Sequence, residues 1–122
     1  MNMKRFREAE EFISRAVKLN QSSDVSFYNY GLISKRLNKP HQALEHFDKA
    51  LRLKKNVPET WNNRGTILND LKRYEEAILD FDQAIALNAN YSEPYANKAK
   101  ALFELKRYEE ACACLLYTSR CV

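Results

Sequence analysis

The stretch Trp61–Asn90, WNNRGTILNDLKRYEEAILDFDQAIALNAN, decides the fold. Trp61, Gly65 and Leu68 stand four and three residues apart, the spacing of a single stripe on an α-helix. Ala77, Phe81 and Ala84 repeat that spacing and predict a second helix, with Lys72-Arg73 as the polar turn between the two. The heptapeptide inside this stretch, LKRYEEA at Leu71–Ala77, returns at Leu105–Ala111, 34 residues later.

Shifting the whole chain by that interval aligns much more than seven residues. Phe27, Trp61 and Tyr95 form an aromatic column, and Gly31, Gly65 and Ala99 a column of small residues four positions on. Ala9, Ala43, Ala77 and Ala111 form a third, followed by Ile13, Phe47, Phe81 and Leu115. Ala16, Ala50 and Ala84 form a fifth, and Leu19, Leu53 and Leu87 close the units. A large side chain at Gly65 or Ala77 would push the paired helices apart, so a bulky ring on one helix is expected to face a small residue on the other. Pro40 and Pro58 suit a first helical turn, and Asp24 and Ser92 are the expected N-caps.

These columns resemble the tetratricopeptide repeat (TPR) family, whose Trp, Gly, Ala, Phe and Ala positions are met by Trp61, Gly65, Ala77, Phe81 and Ala84. The chain departs from the family at Arg64, where Leu is usual, at Leu68, where Tyr is usual, and at Ala89, where an inter-repeat Pro would stand. The resemblance implies an all-α fold, a right-handed solenoid of antiparallel helix pairs with about seven helices. Residues 1–23 are expected to give the second helix of a preceding partial repeat, followed by repeats at 24–57 and 58–91 and a truncated one at 92–113.

Composition agrees with a helical chain of this kind. Its 122 residues can bury a core, and only two Gly and three Pro interrupt a sequence that is 30% charged and 45% hydrophobic. No apolar run is long enough for a membrane span, and the N-terminus, charged from Lys4 onward, lacks the apolar stretch of a secretory signal. The expected location is the cytoplasm, away from membranes.

A two-helix unit cannot bury its own apolar face, so neighbours stack and leave a long concave surface, lined in TPR proteins mainly by the first helix of each pair. Two residues past the aromatic is a rotation of about 200°, nearly opposite the packing stripe. Asn29, Asn63 and Asn97 occupy that position. An asparagine amide offers two donors and an acceptor, matching a peptide unit. With stacked helices about 8–10 Å apart and an extended strand advancing about 3.3 Å per residue, each amide could hold roughly every third residue. The arrangement resembles the asparagine ladder in the TPR superhelix of the enzyme that attaches N-acetylglucosamine to protein Ser and Thr. The competing reading gives these amides to hydrogen bonds between repeats. Tyr28, Asn62, Thr66 and Lys100 complete the candidate peptide-binding set, in a groove of mixed charge that also carries Glu59, Asp70, Glu93 and Glu104. The clamp by which some TPR domains hold chaperone C-termini would need Lys at the positions of Tyr28 and Glu93, Asn at those of Leu32 and Asn63, and Arg at that of Asn97. Only Asn63 matches.

Other signals point to packing. Lys4-Arg5, Lys72-Arg73 and Lys106-Arg107 recur in equivalent turns, where cations and the following Glu75-Glu76 or Glu109-Glu110 suit the helix dipoles. Nucleic-acid binding would need stacking aromatics on that edge, whereas Phe6, Tyr74 and Tyr108 are expected to pack at the turns. His41 and His46 are five apart, off the i,i+4 spacing of paired metal ligands. No phosphate loop, nucleophile–base pair or carboxylate pair emerges, so neither catalysis nor a cofactor is expected within these residues.

The expected activity is that of a protein-interaction scaffold for an extended peptide. The alternative is an accessory substrate-recruiting array of an enzyme such as a glycosyltransferase. Self-association is a further expectation, because both ends lack a polar cap.

After Ala111 the pattern breaks into CACLLYTSRCV. The segment CLLYTSRCV is one reading frame of a transposon end joined to its inverted copy, so Cys114–Val122 are expected to be translated adapter and the natural protein to continue. Cys112 shares a column with Leu44 and Ile78 and is expected to be a buried thiol.

Overall fold

The structure, a computed structural model, describes residues 3–19 and 22–120. Cys121 and Val122 of the suspected adapter segment lie outside the described residues. Seven helices and no strand occur among the described residues: α1 Met3–Leu19, α2 Asp24–Arg36, α3 Pro40–Leu53, α4 Pro58–Asp70, α5 Tyr74–Leu87, α6 Glu93–Glu104 and α7 Tyr108–Arg120. The all-α expectation with about seven helices holds. The chain divides into two compact units, Met1–Asn56 with α1–α3 and Val57–Val122 with α4–α7.

Helix starts follow local chemistry. Pro40 and Pro58 open α3 and α4, where a missing N–H costs nothing, and Pro94 does the same in the first turn of α6. The N-cap of α2 is Ser23, not Asp24: its hydroxyl accepts from the Ser26 N–H at 3.2 Å, leaving Asp24 as the first helical residue beside the positive end of the dipole. Ser92 does occupy the N-cap position of α6, but its backbone is already helical and its hydroxyl makes no cap bond.

Each turn inside a helix pair is the same device, used three times. Asn38, Lys72 and Lys106 adopt φ of 59°, 61° and 62°. Each donates its N–H three residues back, and the residue after it donates five back, as in Lys72→Asn69 (2.9 Å) and Arg73→Leu68 (2.8 Å). This double bond is a Schellman motif, which satisfies the last carbonyls of the first helix and folds the chain back. Opening α5, the Arg73 guanidinium pairs with Glu76, and Arg107 binds Glu110 across α7 through Nε–Oε1 at 3.2 Å and a second contact. In the first unit Lys39 reaches instead to Glu10 on α1, with both oxygens at 2.9 Å.

The cores pair rings with glycines. A Cβ on Gly65 would stand 2.5 Å from Phe81 Cε1, and a Cβ on Gly31 the same distance from Phe47 Cε1. Ala77, Phe81 and Ala84 are fully buried. Further along the second unit Ile78, Ala99, Ala101, Leu102 and Ala111 form one cluster, flanked by Tyr74, Leu105 and Cys114. Burial of a side chain such as Phe81 contributes about 1.5–3 kcal/mol. Cys112 is exposed, against expectation. Its counterpart Ile78 is covered by α6, the helix that follows, whereas no helix follows α7 among the described residues.

Candidate functional site

The first helices of the pairs, α2, α4 and α6, hold the candidate peptide-binding residues on faces set by their buried stripes. In the first unit Phe27, Gly31 and Ser34 are buried along α2, which turns Asn29 to solvent. Tyr28 is half-buried, its ring 6.0 Å from that of Phe47. Asn29 lies at the edge of a groove of about 660 Å³ between α1 and α2, lined with Phe12, Ile13, Leu32 and Ile33.

In the second unit Gly65 and Leu68 of α4 and Tyr95, Ala99 and Leu102 of α6 are buried. Asn63 is half-buried, and its carbonyl accepts the Thr66 hydroxyl at 2.7 Å. The structure brings Asn62 and Asn97 together: Asn97 Nδ2 donates to Asn62 Oδ1 at 3.0 Å. Asn62 is 3% exposed and sits inside the α4–α6 contact. It donates to the Tyr91 hydroxyl at 3.1 Å, and Tyr91 donates to Glu93 Oε2 at 2.8 Å. Burial, then the bond to Glu93, raises the Tyr91 pKa, so the phenol keeps its proton and can donate. Asn69, also buried, donates to the Asn97 carbonyl at 3.2 Å. Lys100 is exposed on α6, at the rim of a second groove shared with Phe103, Tyr108 and Leu115.

Asn69 and Tyr91 were not foreseen as parts of this network. The Asn62–Asn97 bond joins residues 35 apart, one step off the repeat interval, so alignment by columns does not bring the two together. One departure from the family pattern now has a cause. Arg64, in place of the usual Leu, reaches Asp80 on α5 at 3.6 Å, and Asp80 is 5% exposed. The equivalent pair in the first unit is Tyr30 and His46, stacked with ring centroids 3.6 Å apart. Lys98, the third member of the column, pairs with Asp82 at 2.7 Å.

The remaining signals fall as follows. His46 lies against Tyr30 while His41 is exposed, and no group of three metal-ligating side chains occurs among the described residues. Tyr74 is half-buried, but Tyr108 is 51% exposed and meets Phe103 edge-on at 5.3 Å. Among the described residues no helix is long and apolar enough to cross a membrane.

Comparison with solved structures gives MamA at a TM-score of 0.92 and 16% identity, covering 95% of this chain and 63% of that one. YrrB, described as a TPR protein with an unusual peptide-binding site, matches at 0.89 and 19%, over 97% of this chain and 61% of its own. The first TPR of Spaghetti (RPAP3), bound to the HSP90 peptide SRMEEVD, matches at 0.78 and 23%, over 80% and 78%. This chain therefore spans less than two thirds of MamA and of YrrB. No curated protein matches it in sequence. Family models described as tetratricopeptide repeat match residues 25–57, 58–91 and 92–116, an unbroken run through three helix pairs. The chain belongs to the tetratricopeptide repeat family.

Proposed function

We propose that the chain is a protein-interaction scaffold that takes an extended peptide along the solvent faces of its first helices. The observation that supports this reading is a division of labour on those helices. Their aromatic and small positions are taken up by packing: Phe27 and Tyr95 are each 6% exposed, and Gly65 meets the Phe81 ring. The asparagine two residues past the aromatic is exposed at Asn29 and half-buried at Asn63 and Asn97. Asn97 gives one N–H to Asn62, which fixes the orientation of its amide. Thr66 and Lys100 tune side-chain preference beside the amides and Tyr28 borders the face, whereas Asn62, expected among the peptide-binding residues, is buried between α4 and α6 and acts only by orienting Asn97. The peptide complexes and peptide-binding site named for Spaghetti and YrrB agree with such a role. The partial coverage of MamA and YrrB agrees with a chain that is part of a longer array.

The test begins with random dodecapeptides displayed and selected on the intact chain, then measured by fluorescence anisotropy. Asn63→Ala combined with Asn97→Ala weakens capture across unrelated peptides, because backbone amides are shared by all of them. The far-ultraviolet helical signal is followed in parallel, since Asn97→Ala also removes the bond to Asn62. Unchanged affinity in a folded double variant would refute the reading.

A further inference from the structure

Charge is unevenly divided along the chain. Residues 1–56 carry twelve Lys and Arg against six Asp and Glu, and residues 57–122 carry eight against ten. Part of the excess in the first unit borders a pocket of about 450 Å³ at the C-terminal ends of α1 and α3, lined by Val17, Lys18, Phe27, Lys49, Arg52 and Leu53. Val17, Phe27 and Leu53 give it an apolar floor and wall, with Phe27 6% and Leu53 45% exposed. Lys49 Nζ stands 5.7 Å from the centroid of the Phe27 ring and 3.4 Å from Glu45. Lys18 and Arg52 are exposed and have no ion-pair partner among the described residues.

Neither the helix dipole nor the repeat calls for these three cations together. Lys18 and Arg52 lie in the last turns of α1 and α3, where a cation suits the dipole. Lys49 stands a turn earlier, however, and α5 has no cation in its last turn. Lys18 and Arg52 share a column with Ala86, and Lys49 shares one with Gln83. The pocket also stays open when repeats stack. In the second unit α4 is seated on α5 and α6, yet Ile85 and Ala86, two repeats on from Val17 and Lys18, are half-buried and exposed. With α6 following it, α5 still exposes Gln83, Ala86 and Leu87, the counterparts of Lys49, Arg52 and Leu53. Neighbouring helices in an array therefore leave this face free for a ligand.

We propose that this pocket captures an acidic segment of a partner protein, with one large apolar side chain seated against Phe27 and Leu53 and flanking carboxylates set against Lys18, Lys49 and Arg52. Cations from two helices around an apolar floor suit charges spread along a peptide on either side of a buried residue. A nucleic-acid base would need an open aromatic face, and the Phe27 ring is buried with Lys49 over it. A membrane surface is met by protruding apolar side chains, whereas Phe27 is recessed. The site is distinct from the extended-peptide face proposed above, because it reads side chains and uses none of Asn29, Asn63 and Asn97.

The probe is a fluorescein-labelled decapeptide of Glu and Gly with one central Leu, titrated onto the intact chain by anisotropy. It shifts the amide resonances of Lys18, Phe27, Lys49 and Leu53. Replacing its Leu by Ala weakens binding about tenfold, and replacing its Glu by Gln abolishes it. Lys49→Gln with Arg52→Ala installs the residues that α5 carries in those columns and weakens binding about tenfold. Lys4→Gln with Arg7→Ala removes the same charge near the other end of α1, beyond a Debye length at about 0.1 M salt, and changes affinity less than about twofold. Asn63→Ala with Asn97→Ala leaves this binding unchanged, so the two readings fail separately. The proposal is overturned by no binding up to about 1 mM peptide, by an Ala or Gln peptide that binds as tightly as the Glu/Leu peptide, or by equal losses in the two charge variants. It is also overturned if phosphatidylserine vesicles, and not the peptide, bind the chain and are released by Lys49→Gln with Arg52→Ala, which would assign the face to a membrane.

Discussion

Gly65→Ala separates two effects that oppose each other. On a solvent-facing helix this change stabilises by about 1 kcal/mol, because glycine is the poorer helix former. At this site the new Cβ would lie 2.5 Å from Phe81 Cε1 and 2.9 Å from both Cδ1 and Cζ. Carbon atoms rest about 3.5–4.0 Å apart, so the ring would have to retreat by about 1 Å. Phe81 is fully buried, so its retreat would displace the side chains packed around it. Overpacking of this kind costs about 1–3 kcal/mol, and the fixed ring places the site in the upper half of that range. The expected net change is a loss of about 1–2 kcal/mol, once the helix-propensity gain is subtracted.

The double variant makes the reasoning specific. Phe81→Leu alone leaves a cavity and costs about 1–2 kcal/mol. Combined with Gly65→Ala, the new methyl enters the vacated space, so the double variant is more stable than the sum of the singles by about 1–2 kcal/mol. Urea denaturation followed by circular dichroism at constant slope measures each arm of the cycle. A Gly65→Ala variant stabilised by its full helix-propensity gain, with no coupling to position 81, would refute the ring-on-glycine packing.

Lys72→Gly stabilises the fold by about 0.5–1 kcal/mol and raises the urea midpoint, because the left-handed backbone at φ 61° is a strained state for lysine; Lys72→Ile lowers it in the same titration. Arg64→Leu restores the family's usual residue yet destabilises by about 2 kcal/mol, since it withdraws a cation from a buried carboxylate. Adding Asp80→Leu recovers most of that loss, and thermal denaturation of the three variants decides it. Burial lowers the His46 pKa below its ordinary 6.5, with Lys49 adding to the effect and Glu45 and Glu10 opposing it. A lowered histidine contributes stability that is complete above the unfolded value and lost as pH falls below it. The unfolding free energy should therefore fall between pH 7 and 5, at no more than about 1.4 kcal/mol per pH unit for one proton, and the melting temperature with it. That part of the slope vanishes in His46→Gln.

The elements most legible in the sequence are those that the repeat interval itself enforces. Gly65 and Phe81 recur at fixed columns because a helix pair closes only if one side yields to the other, and three Schellman turns recur because each pair must reverse in three residues. Helix starts were legible wherever proline marks them and misread at Asp24, where Ser23 and Asp24 are both good caps and only backbone geometry chooses. Cys112 shows a different limit. Its column says which way the side chain points, but burial depends on what lies over it, and among the described residues no helix follows α7 to cover that face. The Asn62–Asn97 bond was hidden for a third reason: side chains that meet across stacked helices need not share a column.

The position pairs 30/46, 64/80 and 98/114 carry this furthest. They lie 16 residues apart across each helix pair, and geometry fixes that separation while leaving the chemistry open. A stacked Tyr30–His46 pair fills the first, an Arg64–Asp80 ion pair the second. In the third, Lys98 lies near enough to Cys114 to oppose the rise that burial gives its thiol pKa. Near-identical repeats face a hazard that ordinary domains do not, because the first helix of one pair has columns compatible with the second helix of another. Pairing α2 with α5 would satisfy Gly31 against Phe81 and still set the Tyr30 ring against the buried Asp80 carboxylate, with no cation to meet it. Pairing α4 with α3 would bury Arg64 against His46. The shared columns make the repeats stackable, and the unshared pair sixteen residues apart makes each helix recognise its own partner.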